Sequence, residues 1–191
     1  MAFKRFLTGE GPLRKLLEER MKKGPILKKL REQFFRTASK VYDVKRFDVS
    51  LLDDIKTAKG LVVIISPFLS RLKVEGFTNA REVKEALSRG VRIVVVTRPP
   101  DPKEVEKADE HEKYIKILEE AGIKVAVESR LHFKAAIIDN EIIYLGSINP
   151  LSVLTIKYVP PDYMVRFESE ALVDEIVENA IGKDIYEKWI A

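Results

Sequence analysis

Three short apolar runs restrict this chain more than any other feature. Residues 61–66 (LVVIIS), 91–97 (VRIVVVT) and 123–128 (IKVAVE) are strand-length and free of Gly and Pro. A half-exposed strand alternates apolar and polar residues, so a continuous apolar run reads as a strand covered on both faces. Between the runs, 79–89 reads as a helix ended by Gly90, and 103–121 as a charged helix stopped by Gly122. Strand–helix–strand–helix–strand calls for right-handed crossovers and parallel neighbours. Downstream, 132–139 and 141–147 read as two strands joined around Asn140, a residue that tolerates left-handed turn geometry. Residues 162–168 read as a further strand and 170–189 as a closing helix. The predicted fold is α/β, with a mixed, largely parallel sheet flanked by helices.

Upstream of this body the pattern differs. Residues 10–23 and 25–42 read as two helices separated by Gly24-Pro25, with Pro25 suited to a first helical turn. In the second, Ile26, Leu27, Leu30, Phe34, Ala38, Val41 and Tyr42 recur at helical spacing, with Lys28, Lys29, Arg31, Arg36 and Lys40 between them. Residues 1–44 are therefore predicted as a basic helical extension and 45–191 as the α/β domain. Residues 1–46 hold fourteen Lys/Arg against five Asp/Glu, whereas the remainder hold twenty against twenty-five. A basic arm on a mildly acidic body suits a polyanionic partner. The second helix reads first as packed on its own core with a solvated basic face, which is compatible with contact to nucleic acid or a membrane surface.

Composition removes several chemistries. With no cysteine there is no disulfide framework, thiolate catalysis or thiolate zinc site, and two histidines without an acidic cluster make a dedicated metal site unexpected. No apolar run reaches the ~18 residues needed to cross a bilayer, and no signal-peptide pattern opens the chain. A cytoplasmic protein without cofactor or membrane partner is expected. Abundant Lys and Glu, no Cys and a single glutamine, Gln33, resemble a thermophile's usage. No G-x-x-x-x-G-K-[ST] loop is present.

One string carries chemistry. His132, Lys134, Asp139, Gly146, Ser147 and Asn149 fit H-x-K-x4-D-x6-G-S-x-N without a gap. At about one in twenty per specified position, a chance match in a chain of this length is roughly one in a hundred thousand. On an extended strand His132 and Lys134 share a face, and Asp139 takes the opposite one. The following turn and strand bring Ser147 and Asn149, again of matching parity, back toward them. An imidazole, a cation and an amide donor so arranged suit a phosphate. Arg98, after a buried strand, and Arg71 are candidates to bind substrate phosphates, because ligands gather at carboxyl strand ends; a solvated loop arginine is the competing reading for each.

This string resembles the HKD signature of the phospholipase D superfamily. The strand end Ile65-Ser66-Pro67-Phe68 is similar to the first-strand pattern of members attached to helicases and nucleases, which brings Ser66 in as a candidate substrate contact. The resemblance implies a metal-independent phosphodiesterase in which His132 attacks phosphorus, giving a phosphohistidine. Lys134 and Asn149 would hold the non-bridging oxygens, with Ser147 as a further donor. Asp139 reads as a supporting residue because of its parity. Asp162, thirteen residues beyond Asn149, is the best match to the family's acidic residue that orients the histidine, with Glu168 as the fallback. Members with two motifs draw the proton-donating acid from the second. Here the other histidine, His111, lies in a charged helix and reads as an exposed bystander. Single-motif members pair as homodimers, which implies His132 of a second copy as the acid.

The basic arm and small size favour nucleic acid as substrate, DNA before RNA. Two alternatives stand beside that reading. One is a nucleic-acid-binding module of a helicase or repair assembly with weak or no catalysis. The other is a phospholipid-hydrolysing enzyme, which would require an apolar interfacial surface.

Overall fold

The structure, a computed structural model, describes residues 38–152 and 162–191. The predicted helices over 10–23 and most of 25–42 lie outside these residues. The end of the second does not: Ala38–Tyr42 forms strand β1. Val41 and Tyr42 satisfy helical spacing, yet both favour strands. Asp43 then accepts a hydrogen bond from the Arg46 N–H and starts helix α1, Val44–Thr57, so the chain reverses its habit at a cap. Residues 40–191 form one compact unit.

The order continues as β2 (Leu61–Ile65), α2 (Arg71–Asn79), α3 (Arg81–Ser88), β3 (Arg92–Thr97), α4 (Ala108–Glu120), β4 (Lys124–Val127), β5 (Ala135–Ile138), β6 (Ile142–Gly146), β7 (Met164–Glu168), α5 (Glu170–Ile176) and α6 (Lys183–Ile190). A π-helical turn, Val177–Ile181, and Gly182 at φ 94° interrupt what the sequence predicts as one closing helix.

The seven strands form one sheet in the order β1-β7-β6-β5-β2-β3-β4. Pairs β2–β3 and β3–β4 are parallel, whereas β2–β5, β5–β6 and β6–β7 are antiparallel. The sheet is mixed as expected, but it divides into a parallel and an antiparallel half instead of being largely parallel. The reason lies in the connections: helices cross over between β2, β3 and β4, whereas a tight turn at Asp139-Asn140 joins β5 to β6.

Both faces of the sheet are covered. Val62 and Ile64 of β2 pack with Phe47, Leu51 and Ile55 of α1 and with residues of α2, α3 and α4. Val63 and Ile65 face the other way, toward Val173 of α5 and Tyr186 and Trp189 of α6. This accounts for the unbroken apolar runs, each such side chain contributing about 1.5–3 kcal/mol on burial before chain entropy is set against it. Across the first face, Asp54 of α1 accepts from the Tyr144 hydroxyl and takes both Nε and Nη2 of Arg166, at 2.8 and 3.1 Å. Those bonds tie α1 to β6 and β7.

Candidate functional site

Register gathers the motif at one end of the sheet. Ala135 at the start of β5 pairs with Ile65 at the end of β2 and with Leu145 near the end of β6. Gly146 pairs with Met164, the first residue of β7. Ile65 also pairs with Val96, one residue before the end of β3. The carboxyl ends of β2, β3 and β6 and the amino ends of β5 and β7 therefore share one edge. That edge holds Ser66, Arg98, His132, Lys134, Ser147, Asn149 and Asp162.

His132 and Lys134 precede β5 instead of lying within it, because the ladder starts only at Ala135. His132 is exposed, and its imidazole has no hydrogen-bond partner among the described residues. Lys134 is half-buried and curls back so that Nζ donates to the His132 carbonyl at 2.9 Å. Burial first, and then the neighbouring Arg98 charge, push the Lys134 ammonium below its ordinary range, while the Asp162 carboxylate pulls it upward. Asp162, expected to orient the imidazole, lies close enough to Lys134 for its charge to be felt there. The fallback, Glu168, sits at the far end of β7 in an ion pair with Arg166.

Asn149 is 3% exposed, and its Oδ1 lacks a hydrogen-bond partner among the described residues. An unsatisfied buried acceptor costs about 1–3 kcal/mol, and functional sites are one of the few places where a fold retains such a group. Ser147 is held by Tyr163, the residue before β7: its N–H donates to the Tyr163 carbonyl at 2.9 Å, and its Oγ accepts from the Tyr163 N–H at 3.1 Å. Gly146 is required by this approach, since a Cβ there would meet the Tyr163 carbonyl oxygen at 2.1 Å and the Met164 Cα at 2.9 Å.

Four other residues sit differently from expectation. Ser66 is fully buried; its Oγ donates to the Phe68 carbonyl at 2.8 Å and accepts from the Leu151 N–H at 3.0 Å. It supports the Asn149 turn from beneath and is not open to a substrate. The guanidinium of Arg98 turns inward, with Nε donating to the Leu131 carbonyl at 2.8 Å and Nη1 to the Glu104 carbonyl at 2.9 Å. It lies over the Phe68 ring, 4.8 Å from the centroid. Arg71 is on the surface of α2, paired with Glu75 at 2.7 Å. His111 is 4% exposed, not a bystander on the surface. Its Nε2 lies 3.0 Å from the Arg98 carbonyl and 3.2 Å from Thr97 Oγ1. Burial, offset in part by that carbonyl, lowers its pKa. The spacing His111, Ile115, Leu118 along α4 carried this signal, since i, i+4, i+7 marks one helix face.

Asp139 stands at the other end of β5 with φ 52°. Its carboxylate accepts the N–H groups of Lys59 at 2.7 Å, Gly60 at 2.8 Å and Leu61 at 3.0 Å. Burial acts to raise its pKa, but these donors and the Lys59 charge hold it below the usual carboxylate range. Among the described residues, no group of three or more His, Cys, Asp or Glu could hold a metal ion, and no helix is long and apolar enough to cross a membrane.

A family model described as cardiolipin synthase, PLD-like domain, matches residues 51–154, just over half of the chain. NucT from Helicobacter pylori superposes with a TM-score of 0.55 at 17% identity, covering 80% of this chain and 94% of that one. Nuc from Salmonella typhimurium, a phospholipase D family member, gives 0.51 at 20% identity over 73% of this chain and 86% of that one. TrmBL2, an archaeal chromatin protein whose structure shows a novel mode of DNA binding, gives 0.50 at 16% identity, over 92% and 64%. At these identities the structural likenesses establish the fold. No curated protein matches the chain significantly by sequence.

Proposed function

The chain belongs to the phospholipase D-like family, and from that premise we propose that it is a metal-independent phosphodiesterase acting on nucleic acid, DNA before RNA. The observation that carries this reading is the placement of an exposed imidazole without a partner among the described residues (His132), a half-buried ammonium (Lys134) and a buried amide (Asn149) at one end of the sheet. A nitrogen of neutral His132 forms a bond to phosphorus as the bond from phosphorus to the leaving oxygen breaks. That oxygen takes a proton from a second, protonated imidazole. Water then attacks phosphorus, gives its proton to the second imidazole and displaces His132. Lys134 and Asn149 hold the non-bridging oxygens while charge moves.

The second imidazole comes from His132 of a second copy, because His111 is buried and already bonded to the Arg98 carbonyl. A two-fold axis can set a residue opposite its own copy. Supporting roles fall to Ser147, to Asp162 through Lys134, and to Asp139 through the fold. The test is hydrolysis of labelled single-stranded, duplex and flapped oligonucleotides in EDTA. Cleavage abolished by His132→Ala supports the reading, and no cleavage of any substrate by the intact dimer refutes it. Sedimentation showing only monomer at the assay concentration would remove the shared site.

A second reading, a DNA-binding module with little turnover, is favoured by the alignment with the chromatin protein TrmBL2 over 92% of this chain. Its signature is binding that weakens steeply with salt and survives His132→Ala. Release of headgroup from phospholipid vesicles would point instead to lipid as substrate.

A further inference from the structure

Arg98 stands at the end of β3 in a region where a free arginine would be expected to meet substrate. Its Nε and one of its Nη1 hydrogens are instead committed to protein carbonyls. Nε is bonded to the Leu131 carbonyl and Nη1 to the Glu104 carbonyl, and the guanidinium plane rests on Phe68. Leu131 is buried and immediately precedes His132. The Arg98 backbone is fixed in turn, because its carbonyl accepts from the His111 ring; a carbonyl only accepts, so Nε2 carries the proton. The Glu104 side chain closes the frame by accepting the Arg130 N–H at 2.9 Å, two residues before His132. Arg130 itself has φ 56°, so the chain enters the motif through a left-handed residue that this frame holds.

We propose that Arg98 is a positioning residue for the proposed phosphodiesterase reaction: it fixes the turn that delivers His132 and Lys134, with His111 as the anchor behind it. The proposal rests on the reading above and extends it to a residue that touches no substrate. A lysine cannot replace it, since one ammonium cannot reproduce a planar fork stacked on a ring. The same guanidinium also supplies part of the field that lowers the Lys134 pKa, so loss of its charge and loss of its geometry are separable.

The experiment compares wild type with Arg98→Met and Arg98→Lys, each checked for an unchanged circular dichroism spectrum. In both variants kcat for oligonucleotide cleavage falls by about 10- to 100-fold, the scale of a displacement of about 1 Å, and KM changes less than kcat. The slope of log affinity against log salt stays at the wild-type value. A lysine carbon NMR titration shows the Lys134 pKa rising in Arg98→Met and staying low in Arg98→Lys. Amide hydrogen exchange over 131–134 quickens in both variants. A raised KM with unchanged kcat and a salt slope smaller by about one would overturn the proposal in favour of a direct phosphate contact. If wild type itself cleaves nothing, the catalytic reading fails on its own. Exchange then decides the placement, and unchanged exchange over 131–134 in both variants overturns it.

Discussion

At its far end, β5 closes on the Asp139 carboxylate, which accepts three consecutive backbone N–H groups. At its near end stand His132 and Lys134; among the described residues the His132 ring has no partner and the Lys134 ammonium reaches only the loop's own carbonyl. All three residues belong to one motif, and four strand residues separate the two environments. A saturated polar group adds rigidity and has little capacity left for a ligand. A solvent-reachable group without a protein partner costs the fold little and stays available to a ligand. The difference sets Asp139 apart as a structural residue and leaves His132 and Lys134, on the proposed reading, as the chemical ones.

Mutation can break that contrast. His132→Ala has the largest expected effect, a loss of oligonucleotide cleavage of about 10^3-fold or more, with stability to urea changed by no more than about 0.5 kcal/mol because the residue is exposed. A stability loss with retained cleavage would reverse the assignment. Gly146→Ala comes next. The added Cβ must push β7 away, at about 1–3 kcal/mol by urea unfolding, and cleavage falls with it because Ser147 and Asn149 follow directly. Asp139→Asn should cost about 1–2 kcal/mol and leave kcat of the folded protein within about three-fold; a collapse of kcat would make Asp139 a chemical residue.

The smallest effect is in the pH dependence. The folded-state pKa of Asp139 is depressed, so its stabilisation is fully present above the unfolded carboxylate value and is lost as pH falls through the folded one. The stability gap between wild type and Asp139→Asn should therefore narrow below about pH 4. A gap that stays constant on acidification would show that the three N–H bonds do not favour the charged form.

Much of this was readable in the sequence, and what was not shares a cause. The buried strands β2 and β3 follow from apolar runs, which are local, whereas His132, Lys134, Ser147 and Asn149 lie beyond the ends of β5 and β6, where strand parity no longer applies. Asp139 was separated from the chemistry by parity, although the three donors that hold it, from Lys59, Gly60 and Leu61, lie about eighty residues away. The inward turn of Arg98 depends on carbonyls of Glu104 and Leu131, contacts that no periodicity encodes. The sequence over β1 reads as helix because Val41 and Tyr42 satisfy both helical and strand patterns. His111 was misread because charged neighbours hid its place on the Ile115–Leu118 face.

Ser66 joins distant stretches of chain. Its Oγ holds the Leu151 N–H, and the Ser70 N–H holds the Leu151 carbonyl at 2.9 Å. The 66–70 segment and the turn after Asn149 thus form one mechanical unit, although some eighty residues separate them in sequence. A ligand that lifts Pro150 and Leu151 must carry the 66–70 segment with it, so accommodation at this rim proceeds through a single concerted displacement and not two independent ones.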